Sequence, residues 1–143
     1  MRLTRHTDNA LRALMYLAIH DESPARITDI ARRMGMSEDH LAKVVARLAS
    51  LGLVETIRGR VGGVRLARAP ETIIVGDVVR ATEDNLTLVE CFDPATNRCP
   101  ITPACALAPV LDEALQAFFA VLDAYTLADL CAKPRAIQRL LIA

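Results

Sequence analysis

A chain of 143 residues is the size of one ordinary domain with an appendage. Hydrophobic residues make up 52%, which excludes a disordered chain, and no apolar run approaches the length of a bilayer span. Lys and Arg number 17 against 17 Asp and Glu, and a net charge of zero argues against indiscriminate coating of nucleic acid or membrane. The opening Met1-Arg2-Leu3-Thr4-Arg5-His6-Thr7-Asp8 has no apolar signal core, so the expected location is cytoplasmic with no membrane partner.

The zero is the sum of unlike halves. Residues 1–68 hold 12 Lys/Arg and 7 Asp/Glu, a balance of +5, and residues 69–143 hold 5 and 10, a balance of −5. Such asymmetry points to two jobs, one facing a polyanion. Fifteen of the 17 cations are Arg, the better residue for bidentate contacts to phosphate or guanine.

In chain order, a first helix is expected from about Arg5 to His20, with Thr4 as N-cap and Asp8 in its first turn. Leu11, Met15 and Ala18 fall on one face, with Leu14 and Leu17 beside them. Thr28 can cap a short helix ending at Gly35. Ser37 can cap another from Glu38 to about Leu51, stopped by Gly52, with Leu41, Val44, Val45 and Leu48 buried. Two helices joined by a tight Gly-containing turn are a helix-turn-helix pattern. Leu53–Ile57 and Val64–Leu66 read as strands around the basic, Gly-rich Arg58-Gly59-Arg60-Val61-Gly62-Gly63, which makes the hairpin a wing. Ile73-Ile74-Val75 is expected to add a little sheet, and Asp77–Glu83 a short helix.

Asn85–Pro109 reads as a long irregular loop with four prolines and three cysteines, a kind of segment that is usually functional. A long helix is expected over Val110–Ala124, where Leu111, Leu115, Phe118, Phe119 and Leu122 form a stripe with few internal partners, suited to a dimer interface. Thr126–Leu130 starts a last short helix, and no element is assigned from Lys133 onward. The expected fold is mostly α. It divides into a winged helix-turn-helix DNA-binding domain at 1–84, a cysteine-bearing cluster loop at 85–109, and a dimerisation helix with a C-terminal tail at 110–143.

The helix opened by Ser37 reads as a recognition helix for the major groove. Spacing puts Asp39, His40 and Lys43 on its exposed side, with Arg47 one turn further on, and Ser37 can reach phosphate. Arg58, Arg60 and Arg65 would let the wing touch phosphates or a minor groove. The competing reading is a solvated helix face and an ordinary basic hairpin. Glu38 and Asp39 can favour the helix dipole or accept from cytosine, and they also repel phosphate, so binding must rest on specific contacts plus the wing.

The cysteines are spaced Cys91-x7-Cys99-x5-Cys105, unlike the C-x2-C pairs of zinc ribbons. In a reducing compartment such a group suits a metal site better than disulfides. Wide spacing on a proline-stiffened loop suits an iron–sulfur cluster, and Pro100 after Cys99 echoes the Cys-Pro step of ferredoxin loops. A zinc-stabilised loop and unmetallated thiols are the alternatives. Three thiolates leave a four-corner cluster one ligand short, with Cys131, a histidine or a carboxylate as candidates. Cys131, in an apolar helix, reads as an inert thiol. His6 and His20 read as surface or packing residues. Catalysis is not expected, because a nucleophilic Cys needs an oriented base, the histidines all lie in the N-terminal half, and there is no C-x-x-C.

Met1-Arg2-Leu3-Thr4 with Thr7-Asp8, the wing Val54–Leu66, and Ile74-Val75-Gly76-Asp77-Val78-Val79-Arg80 resemble the Rrf-type family of winged-helix transcriptional regulators over nearly the whole chain. Ile101-Thr102-Pro103-Ala104-Cys105 and Tyr125-Thr126-Leu127-Ala128-Asp129-Leu130 resemble its nitric-oxide-sensing repressors. The resemblance implies a homodimeric repressor of palindromic operator DNA. It implies a 4Fe–4S cluster, with 2Fe–2S as the alternative, on Cys91, Cys99 and Cys105, completed by Asp8 of the partner subunit. It implies nitric oxide as the signal that releases DNA. An iron-responsive regulator of the same family, or a winged-helix protein with a structural zinc site, is the alternative. Taken without the resemblance, Asp8 is simply an acid complementing a helix dipole.

Overall fold

The computed structural model describes residues 2–59 and 62–142. The described residues form seven α-helices and one two-stranded antiparallel sheet, so the mostly α architecture holds. Helix α1 (Arg5–Ile19) is central: α2 (Ile27–Met34), α3 (Glu38–Ser50), α4 (Val75–Thr82), α6 (Leu127–Leu130) and strand β2 (Gly63–Leu66) all pack on it. That explains a broader buried face than periodicity alone implies. Ala10, Ala13, Leu14 and Leu17 are buried, and Leu11, Met15 and Ala18 flank them half-buried. Thr4 caps α1, its Oγ1 accepting from the Thr7 N–H at 3.2 Å.

Helix α2 begins one residue before Thr28, with Arg26 at the N-cap position, so Thr28 lies inside the first turn rather than before it. Packing decides this start. Ala25 pairs with Val64 of β2 through bonds of 2.9 and 2.8 Å, and that anchor delivers Ile27 onto the core already helical. Gly35 ends α2 with φ +64, a left-handed conformation that glycine adopts freely, and makes the tight turn into α3. Ser37 caps α3, and Leu41, Val44, Val45 and Leu48 are its buried face, as the periodicity predicts. Strand β1 (Val54–Ile57) pairs with β2 in the register Val54–Leu66 to Ile57–Gly63. A Cβ on Gly63 would lie 2.7 Å from the Ala25 carbonyl oxygen, so the close approach of these backbones requires glycine there.

Beyond the wing, the expected strand over 73–75 reduces to one bridge between Ile74 and Thr126, because Val75 already opens α4. The long helix α5 runs Leu107–Asp123, three residues earlier than expected. Pro109 is accommodated because a first-turn residue has no intrahelical acceptor for its N–H. Thr126 and Asp129 form a capping box on α6, whose Leu127 is buried against α1. The tail forms α7 (Pro134–Ile142), packed on α2. Gln138 donates to the Ile19 carbonyl at 2.8 Å, and Arg33 to the Leu141 carbonyl at 3.3 Å. Among the described residues no helix is long and apolar enough to cross a membrane.

Candidate functional site

The expected DNA-reading residues do not all stand alike. Ser37, Asp39 and Lys43 are exposed on the first turns of α3, and Arg58 is exposed at the wing. Arg60 lies outside the described residues. Arg65 is exposed and ion-paired across the hairpin with Glu55, its directly opposed neighbour. Arg47 turns away toward α4, where its Nε and Nη2 donate to the Ala81 carbonyl at 3.2 and 2.8 Å. His40 is half-buried, with its ring edge-on to His6 at 5.9 Å. Its Nε2 is buried and among the described residues has no hydrogen-bond partner. His20 stacks on Tyr16 at 4.3 Å, a packing role.

A polar cleft of about 420 Å³ lies where α1 meets the turn into α3, lined by Arg5, Asp8, Arg12, Met36, Ser37 and His40 among others. Asp8 is exposed and pairs with Arg12 Nη1 at 3.5 Å. Arg12 in turn donates to the Met34 carbonyl at the end of α2. Asp8 is thus linked through one side chain to the helix-turn-helix. Sequence reasoning passed over Arg12, although its i,i+4 spacing from Asp8 carries that signal.

The cysteine loop is ordered by its own short-range bonds. Cys91 sits in a 3₁₀ turn over Glu90–Phe92, and Cys105 closes another over Thr102–Ala104. Cys99 donates its N–H to Asn97 Oδ1 at 3.0 Å, and its carbonyl accepts from Thr102 Oγ1 at 2.9 Å. All three cysteines are half-buried and unpaired. They are soft, partly accessible thiols, and that donor chemistry fits cluster iron. Their sulfurs do not converge as the ligands of one small ion would: among the described residues no three His, Cys, Asp or Glu side chains gather that tightly. Cys131 is also unpaired, but its Sγ lies toward the Met15 carbonyl at 3.8 Å, and burial pushes its thiol up.

Helix α5 leaves much of its apolar surface uncovered. Among its described residues Phe119 alone is buried, while Leu107, Val110 and Val121 are 58–60% exposed. Leu111, Leu115, Phe118 and Leu122 are half-buried.

Comparison with known proteins agrees with this architecture. Residues 3–133 match the family Rrf2, described as iron-dependent transcriptional regulators. The chain is 52% identical over 142 residues to the HTH-type transcriptional regulator NsrR of Geobacillus kaustophilus, covering 99% of this chain and 97% of that one. It is 51% identical over 144 residues to the NsrR of Bacillus subtilis, again covering 99% and 97%. Among solved structures, T. potens IscR superposes with a TM-score of 0.75 at 31% identity, covering 92% of this chain and 87% of that one. A helix-turn-helix with its wing, and a match across nearly the full length, make this chain a transcriptional regulator of the Rrf2 family and not an enzyme.

Proposed function

We propose that the protein is a homodimeric repressor of palindromic operator DNA that holds an iron–sulfur cluster and releases DNA in response to nitric oxide. Cys91, Cys99 and Cys105 would hold the cluster, of the 4Fe–4S type, and Asp8 of the partner subunit would complete it. When bound, the cluster supplies iron that reacts with nitric oxide. The uncovered apolar face of α5 supports pairing through that helix. Ser37, Asp39 and Lys43 would enter the major groove, and Arg58, Arg60 and Arg65 would bring the wing to the backbone.

The observation that carries this reading is the position of Asp8. It is an exposed carboxylate that a partner can reach, and the Arg12 with which it pairs also holds the last carbonyl of α2. An Asp8 engaged elsewhere leaves Arg12 to the Met34 carbonyl alone, and an Asp8 set free pairs with Arg12 again. The Asp8–Arg12 pair is 57% and 40% exposed, so on its own it contributes no more than about 1 kcal/mol, roughly fivefold in an equilibrium. A dimer would have two such pairs, and a shift of both α3 helices against one operator would multiply the effect.

The test is anaerobic purification followed by absorption spectroscopy and iron and sulfide assays. Operator binding is then measured before and after a nitric oxide donor. Iron and sulfide in equal amounts, with affinity lost on nitric oxide, support the reading. Zinc without iron or sulfide overturns the cluster. Unchanged affinity after nitric oxide overturns that signal and leaves iron availability as the input.

A further inference from the structure

Three residues in and after the last turn of α4 each hold a different helix. Arg80 binds Asp123 of α5 through two bonds of 2.7 Å, and its guanidinium lies 4.3 Å from the Phe119 ring centre. The Ala81 carbonyl takes both donors of Arg47 from α3. Glu83 accepts from the Thr4 N–H at 2.7 Å and from Thr4 Oγ1 at 3.1 Å, and so holds the residue that caps α1. We infer that Arg47 is a positioning residue, locking the recognition helix to α4, and that the last turn of α4 sets the pose of α3 relative to α5.

The chemistry of a helix end explains why Arg47 settles there. The last carbonyls of a helix have no intrahelical donor and carry partial negative charge. A guanidinium placing two N–H groups on one such oxygen satisfies both needs. Position along α3 agrees. Bases are read by the N-terminal residues of a recognition helix. Arg47 is ten residues past Ser37, roughly 15 Å along the axis. The chain of contacts from α3 through Ala81 and Arg80 to α5 then has a specific consequence in a dimer joined at α5. Two half-sites on DNA demand one separation of the two α3 helices, and this junction supplies it. The inference rests on the proposed reading of an α5-joined, DNA-binding dimer.

The experiment uses the duplex that the wild-type protein selects from a random-sequence pool, and the same duplex with one base pair inserted at its centre. Affinities are measured across a salt series, at a temperature where circular dichroism shows each variant folded. Arg47→Ala is expected to lower affinity about tenfold, the low end for a lost charged hydrogen bond, with the salt slope unchanged. The penalty for the inserted base pair shrinks. Arg47→Gln, which keeps a neutral donor for the Ala81 carbonyl, recovers part of the affinity. Arg80→Ala, on the far side of α4, also shrinks the insertion penalty. A salt slope reduced by about 1.8 in the Arg47→Ala dimer would mark two lost phosphate contacts and overturn the inference. An Arg80→Ala protein with the full insertion penalty overturns it as well. A wild-type protein that selects no duplex overturns the underlying reading, a result distinct from any failure confined to the variants.

Discussion

Gly76 of α4 leaves the space that the Asp123 carboxylate of α5 fills: a Cβ on Gly76 would overlap Asp123 Oδ1. The absent side chain is what lets Asp123 reach Arg80 with two bonds of 2.7 Å. Helix α5 is thereby pinned at its C-terminal end to the winged-helix unit.

Gly76→Ala is expected to destabilise the chain by about 1 kcal/mol, since displacement of the carboxylate outweighs the helix-propensity gain of alanine. In an Asp123→Ala background the same change is expected to cost nothing or to stabilise by up to about 1 kcal/mol, because only the flexible Arg80 guanidinium, 3.0 Å from the added Cβ, has to give way against the propensity gain. Urea unfolding of the four proteins in this cycle measures both signs. Equal effects in the two backgrounds would refute the shared space.

Acid should loosen the second half of the chain. The Arg80 guanidinium holds the Asp123 carboxyl below its usual range, first by hydrogen bonding and then by charge. The Thr126 N–H and hydroxyl do the same to Asp129. A carboxylate whose folded pKa is depressed adds stability above its unfolded value, near about 4, and loses it as pH falls through the folded value. The unfolding midpoint should therefore fall on acidification below about pH 4. Asp123→Asn and Asp129→Asn each flatten that acid limb when urea midpoints are compared across pH.

The four cysteines should separate into two classes. Cys91→Ser, Cys99→Ser and Cys105→Ser each lower iron and sulfide content after anaerobic purification, whereas Cys131→Ser leaves both at wild-type levels. In the metal-free protein, iodoacetamide should label Cys131 more slowly than the other three, because burial raises its thiol pKa and thins its thiolate fraction. Peptide mass spectrometry after timed quenching gives the order. Iron lost with Cys131 would return that residue to the ligand set.

The short helix α6 should matter more than its length suggests. Leu127 is fully buried against the core, and its N–H bonds the Ile73 carbonyl at 2.8 Å. Leu127→Ala is expected to cost about 2–4 kcal/mol by lost burial and a partly collapsed cavity. Leu140→Ala, at a side chain 79% exposed, is expected to cost under about 0.5 kcal/mol. Thermal unfolding of the two variants provides the comparison.

Local rules made α1, α3 and the wing legible in the chain alone. Thr4 and Ser37 cap, Gly35 and Gly52 stop, apolar residues recur at helical spacing, and glycines frame the hairpin. Those signals act between residues a few positions apart, so they survive without knowledge of the fold. Thr28 failed as a cap because the anchor between Ala25 and Val64 lies 39 positions apart in sequence and overrides a local preference. The segment after Lys133 carried weak local signals, and α7 is held by bonds from Gln138 and Arg33 to distant carbonyls.

The candidate site divides in the same way. Charge placement marked a basic N-terminal half with arginines in the wing, and residue type and spacing singled out the cysteine loop as a candidate for metal binding. Neither periodicity nor composition can aim a long side chain. Only the packed structure placed Arg47 on the Ala81 carbonyl, buried His40 Nε2, and brought Arg12 onto the Met34 carbonyl at the turn before α3. The partners of an arginine with four rotatable bonds are chosen by which unpaired carbonyls and carboxylates the fold brings within reach, and those come from helices far apart in the sequence.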